Sequence, residues 1–140
     1  MALYTKCIFK ERNEGDGIRI SVMSRHTLDD GVTPDMRITV DLFDEHLQEL
    51  APRSKLVGAY YKGMITWDEF EQSYVSDIRE AGVTEKVDEL AMRAMRCDLT
   101  ILCVEDSPMD CDENGRLKCH RRVLAQECQA RQLNLIVEHH

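Results

Sequence analysis

The stretch Leu99-Thr100-Ile101-Leu102-Cys103-Val104 decides how this chain is read. It is short, carries β-branched residues, and is bounded by the charges of Asp98 and Glu105. Such a run suits a strand buried on both faces, the kind found in parallel sheets. Before it, Val87, Leu90, Ala91, Ala94 and Met95 form an amphipathic helical stripe that Thr84 can cap. After it come a polar loop over 105–118 with an Asn114-Gly115 turn, a helix over 120–131 and a last strand over 133–137. The order helix, strand, loop, helix, strand predicts parallel strands joined by right-handed helical crossovers. The expected fold is α/β: a three-layer domain with a mostly parallel sheet and helices on both faces.

Working back toward the N-terminus, residues 4–9 alternate and read as a strand. So do residues 17–23, with Ile18, Ile20 and Val22 on one face. Asp30-Gly31 and Pro34 mark a loop. Phe43, Leu47 and Leu50 recur at helical spacing up to Pro52. Thr66-x-x-Glu69 is a capping box, followed on one face by Trp67, Phe70, Tyr74 and Ile78, and Gly82 closes that helix.

A length of 140 residues is that of one domain with its own core. Residues 1–138 are assigned to a single α/β domain; His139-His140 is either the stub of an affinity tag or native C-terminus, and is left out of the site. No apolar run reaches the roughly 18 residues of a membrane helix. The first twelve residues lack a signal-peptide core, so the protein is expected in the cytoplasm. There the six cysteines are expected to be reduced, leaving catalysis, metal binding or core packing as their uses. The net charge of −8 argues against coating DNA or an anionic membrane, though a local patch can still hold a small anionic or nucleotide-like ligand.

Two segments carry useful chemistry where parallel strands should end: Ser24-Arg25-His26, and Cys103-Val104-Glu105 followed by Cys119-His120-Arg121-Arg122. A helix N-terminus at Cys119 offers unpaired N–H groups and positive potential, which stabilise an anion and favour thiolate. Cys119 is the candidate nucleophile, with His120 or His26 as its proton partner and Glu105 as base or orienting group. Cys103 lies beside them on the strand. Arg121, Arg25, Ser24 and His26 are the candidate ligand-binding residues, arginine being suited to phosphate and carboxylate. Cys7, Cys97 and Cys128 read as packing. No cofactor is predicted and no metal ligand is assigned. Zinc is the lesser alternative, through Cys103, Cys111, Cys119 and His120, because the spacing departs from familiar pairs and adjacent Cys119-His120 needs an awkward backbone to reach one ion.

These residues resemble a known family, domain of unknown function 488, in its branch of short single-domain bacterial proteins. Asp16-Gly17-Ile18-Arg19-Ile20 is similar to that branch's first strand, and Leu50-Ala51-Pro52-Arg53-Ser54-x-Leu56 to its Leu-Ala-Pro-Ser segment. Trp67-Asp68-Glu69-Phe70 with Tyr74 resembles its Trp-x-x-Phe-x-x-x-Tyr helix. Leu99 to Glu105 with Cys119-His120-Arg121 resembles its Leu-Leu-Cys-x-Glu strand and Cys-His-Arg signature. The resemblance implies an α/β fold and weight on Cys103, Glu105, Cys119, His120 and Arg121; it brings no established activity. Ser24-Arg25-His26-Thr27-Leu28 departs from the branch's Asp-Arg-Leu-Trp-Pro-Arg-Gly stretch, keeping the arginine. The loop before Cys119 is longer and adds Cys111.

Three functions fit. One is a small enzyme acting on a phosphorylated or nucleotide-like substrate at the C-terminal edge of the sheet. The second is a non-catalytic module binding such an anion, and the third an interaction protein with structural or zinc-binding cysteines. Cys119→Ser separates the first from the second, Arg121→Ala finds the second, and a chelator unfolds a zinc-dependent form of the third.

Overall fold

The strand predicted from the 99–104 run forms as β4, Leu99–Cys103, and all five of its side chains are buried. The computed structural model describes residues 1–28, 30–104 and 110–140. The other strands are β1 (Ala2–Cys7), β2 (Ile18–Ser21), β3 (Glu45–His46) and β5 (Ile136–His139), in the spatial order β3-β2-β4-β1-β5. Every pairing is parallel. Four α-helices follow in the chain: α1 (Ser54–Tyr61), α2 (Trp67–Ile78), α3 (Thr84–Ala94) and α4 (His120–Arg131).

The register sorts side chains by face, since successive residues of a strand point to opposite sides. Leu3, Ile20, Leu99 and Ile101 share one face and join the helix residues Phe70, Tyr74, Val87, Leu90 and Leu124 in the main core. The connections β3-α1-α2-α3-β4 and β4-α4-β5 step in the same direction along the sheet, so right-handed crossovers bring their helices to one face. β1-to-β2 and β2-to-β3 step the other way. They cover the second face with two 3-10 helices, Glu14–Asp16 and Val40–Leu42. The result is three layers, with α-helices on one side and 3-10 helices on the other.

That second face carries a buried charge network. Asp16 accepts from Lys6 Nζ at 3.0 Å, from Arg19 Nη1 at 2.8 Å and from the Asn13 N–H. The rest of the Arg19 guanidinium donates to the carbonyls of Leu42, Ile8 and Lys10. Burial pushes the Asp16 carboxyl up, but the Asn13 N–H, Lys6 and Arg19 outweigh it and hold the pKa below the usual carboxylate range. At Gly17 (φ +64°) a Cβ would lie 2.0 Å from the Asp98 carbonyl oxygen, so only glycine lets β2 start here.

Helix signals match closely. In α2 the capping box is complete: Glu69 N–H donates to Thr66 Oγ1 at 3.2 Å and Thr66 N–H to Glu69 Oε1 at 3.1 Å. At α3, however, Val83 is the cap, and the Thr84 hydroxyl accepts from Arg131. The segment around Phe43, Leu47 and Leu50 is not an α-helix. Asp44 and Leu47 N–H donate to Arg19 and Ser21 carbonyls, zipping the chain onto β2 as β3, and a 3-10 turn, Gln48–Leu50, follows. Pairing with β2 gives the backbone N–H groups of Asp44 and Leu47 their acceptors outside the segment, and Pro52 bars a helix from continuing past it. The last strand starts later than its pattern suggests, because Leu135 N–H closes a turn on Gln132 while the Leu135 side chain fills the core. β5 therefore takes in His139. Among the described residues, no helix is long and apolar enough to cross a membrane.

Candidate functional site

Cys103 ends β4 on the α-helix side of the sheet, in register with Cys7 of β1. Across from it α4 begins at His120, and Cys119 is its N-cap with extended backbone (φ −142°, ψ 142°). That turn from extended cap to first helical residue is what lets two adjacent side chains converge, removing the backbone objection to it. Cys103, Cys119 and His120 are all buried, and their donor atoms lie within 4.8 Å of one another. Cys111 falls outside this group, in a short antiparallel bridge with Leu117.

The imidazole is held in one orientation. His120 Nε2 lies 2.7 Å from the Val22 carbonyl oxygen, which can only accept, so Nε2 carries a proton. In the neutral ring Nδ1 is then the lone-pair nitrogen, and it faces Cys103 Sγ at 3.8 Å. Tyr74 meets the ring edge-on, with centroids 5.7 Å apart at 81°, and donates its hydroxyl to the Leu50 carbonyl at 2.5 Å. Burial, and then the thiols of Cys119, Cys128 and Cys103, push the Tyr74 hydroxyl well above its ordinary range, so it stays a neutral donor. A thiol, an imidazole with its acceptor nitrogen turned toward that thiol, and a second thiol at a helix N-terminus therefore share one point. Such a set can deprotonate a thiol or hold a soft metal.

The remaining cysteines behave as packing. Burial pushes the Cys128 thiol up to about 12. Cys7 donates to the Val104 carbonyl at 3.3 Å and Cys97 to the Arg93 carbonyl at 3.5 Å.

Arg121 and Arg122 in the first turn of α4 are both buried. Sequence reasoning stopped before their neighbour His139, at the end of β5. Its Nδ1 lies 2.8 Å from Thr5 Oγ1, and burial together with the charges of Arg122 and Arg121 lowers its pKa. The signal that finds it is the register, which puts His139 opposite Thr5 on the same face as Cys103.

Ser24, Arg25 and His26 do not join the cysteine cluster. β2 ends at Ser21, whose side chain lies on the opposite face from Cys103, and His26 folds back so that its Nε2 sits 2.7 Å from Ser21 Oγ. There His26 stacks on His46 at 4.2 Å; burial and then the His46 charge lower its pKa. The Ser24 carbonyl accepts from Gln48, and Arg25 lies exposed against Gly31. Glu105 lies outside the described residues.

The fold and this centre define a parallel α/β domain with a Cys-Cys-His cluster at the carboxyl edge of its central strand. The chain belongs to the domain of unknown function 488 family: residues 3–132 match the group described as the active DUF488-N3 subclade. No curated protein and no solved structure matches it.

Proposed function

We propose that this domain is a small cytoplasmic enzyme acting on an anionic, phosphorylated or nucleotide-like substrate at the carboxyl edge of the sheet. The observation that carries the reading is the His120 imidazole, fixed by the Val22 carbonyl with its acceptor nitrogen toward the Cys103 thiol. A nucleophile, its base and a group orienting the base form the arrangement on which covalent catalysis is built. In the proposed cycle His120 Nδ1 takes the thiol proton and the sulfur attacks the substrate's electrophilic centre. The bond to the leaving group breaks as the bond to sulfur forms, and the imidazolium returns the proton to the leaving group. Water or an acceptor hydroxyl, deprotonated by the same imidazole, then displaces the sulfur, which recovers that proton as the thiol. Cys119, at the positive end of α4, is the alternative thiol to give its proton to the same base, while Arg121 and the α4 N–H groups hold the anion.

The test is turnover of a panel of nucleoside phosphates by wild type, Cys103→Ser, Cys119→Ser and His120→Gln. Loss of about 10²-fold or more in kcat with the fold retained is expected for His120→Gln and for the variant lacking the nucleophile. Undiminished rates in all three variants would dismiss the mechanism.

One observation favours a second reading, a zinc centre: Cys119 Sγ joins the pair, and all three donors are buried, which a metal tolerates better than a nucleophile does. Cys103 Sγ and His120 Nδ1 are 3.8 Å apart and the three donor atoms lie within 4.8 Å of one another, so these residues would hold the ion between them. The Val22 contact would then be the outer hydrogen bond that orients a metal-bound histidine. With three protein ligands, the ion would supply activation of a water at its fourth position. About one zinc per chain, lost in Cys103→Ser, would favour this form of the site over the free thiol.

A further inference from the structure

Beside the first turn of α4, Trp67 and Arg122 each present a buried donor that no described residue accepts. Trp67 is the first residue of α2 and Arg122 the third of α4. The Arg122 guanidinium carbon lies 5.9 Å from the centroid of the Trp67 ring. Trp67 Nε1 and Arg122 Nη2 are each fully buried and, among the described residues, hydrogen-bond to nothing. The side chains themselves are 8% and 2% exposed.

Their surroundings fix where these donors point. Arg122 Nε is committed to the Leu117 carbonyl at 3.0 Å, and Nη1 to Glu71 Oε1 at 2.7 Å and Gln126 Oε1 at 2.8 Å. Trp67 is stacked on Phe70, with centroids 5.0 Å apart at 20°, and flanked by Tyr60 at 5.6 Å. Neither ring nor guanidinium is free to turn toward another partner. Indole and guanidinium are donors only, so the missing group must be an acceptor. Buried donors left unmet carry their full desolvation penalty, and native folds seldom leave two as neighbours. Glu71 balances one positive charge here, but Arg121 is adjacent in the chain and two helix N-termini open nearby, so an anionic acceptor is preferred over a neutral one.

We propose that Trp67 and Arg122 form an oxyanion subsite that receives a carboxylate or phosphate oxygen. Under the reading above it holds the anionic end of the substrate. It rests on that reading for its role, but its binding is measured separately. Indole and guanidinium supply one donor each, already oriented, so binding needs little reorganisation.

Trp67 is the only tryptophan, so its emission reports on this site alone. Inorganic phosphate and acetate are titrated separately into the full chain, with chloride at matched ionic strength as the control. A saturable change is expected with at least one of the two anions and none with chloride. Phosphate alone would identify a phosphoryl ligand, and acetate alone a carboxylate. Arg122→Lys keeps the charge but loses the fork, and should bind about tenfold more weakly. Should that variant not fold, Trp67→Phe keeps the ring and removes the N–H, and equilibrium dialysis with labelled phosphate or acetate should show the same weakening. Cys103→Ser should bind as wild type does, so anion binding without turnover would retire the enzyme reading and leave the subsite standing. No saturable response, or equal binding by the substituted proteins, would overturn the subsite and assign both donors to water.

Discussion

The two faces of the sheet both bury polar groups, but they use them differently. On the 3-10 side, Lys6, Asp16 and Arg19 answer one another completely; each nitrogen of the Arg19 guanidinium has an acceptor and Asp16 takes three donors. On the α-helix side, Cys103, Cys119 and His120 converge through a long sulfur–nitrogen contact, and Trp67 and Arg122 each keep a donor that no described residue accepts. Both sets are excluded from water. A saturated network locks neighbouring segments together and has nothing left for a ligand. The unmet donors of Trp67 and Arg122 add less to the fold and are where a ligand is to be sought.

The largest expected effect tests the structural side. Asp16→Ala leaves Lys6 and Arg19 buried without their carboxylate and should cost about 3–5 kcal/mol in urea unfolding. Cys103→Ala, which leaves no charge unmet, should cost much less. Equal losses would break the contrast between the faces.

Acid should act through the same network. The folded pKa of Asp16 lies below its unfolded value of about 3.9. Its contribution is therefore complete above that pH and is lost as pH falls through the folded value, because the unfolded chain takes up the proton first. Asp16→Asn should flatten the acid limb of a stability–pH curve; an unchanged limb would assign acid sensitivity elsewhere.

A smaller change sharpens the helix side. Tyr74→Phe keeps the ring against His120 and removes only the hydrogen bond to the Leu50 carbonyl. It should cost about 1 kcal/mol and leave thiol reactivity unchanged. Altered reactivity would make the hydroxyl part of the centre.

The smallest effect concerns His26. Its folded pKa is depressed, so stability is complete above the unfolded value of about 6.5 and declines as pH falls below it. His26→Gln should reduce that slope in urea midpoints measured from about pH 7.5 to about 5.5, leaving the part that His139 contributes with the same sign.

Much of the fold was legible because periodicity reports burial directly. The 99–104 run is apolar on both faces because β4 is central, and the Thr66–Glu69 box marks the start of α2 unambiguously. Residues 43–50 misled because helical spacing of Phe43, Leu47 and Leu50 says nothing about pairing with β2, a contact set from another part of the chain. At the site, Cys103, Cys119 and His120 were readable as residue types placed after a buried strand and at a helix start. Pairing Ser24-Arg25-His26 with them failed on a one-residue matter: Ser21 and Val22 point to opposite faces, so a short strand sends its loop to the other side. The burial of Arg19 and Asp16 was not legible, since nothing local indicates that a 3-10 turn will fold over them. Trp67 was recognised as a packing residue, while its unmet N–H depends on where α4 lies.

The most direct measurement of the central claim is the rate of alkylation at Cys103 and Cys119 against pH, mapped by peptide mass spectrometry on reduced, metal-free protein. The account predicts a thiolate formed well below the unperturbed pKa of about 8.5 at one of the two sulfurs, moving back toward that value in His120→Gln. A rate that rises only near 8.5 in both proteins, or labelling seen only on unfolding, would contradict an activated thiol and leave the cluster as packing or as a metal ligand set.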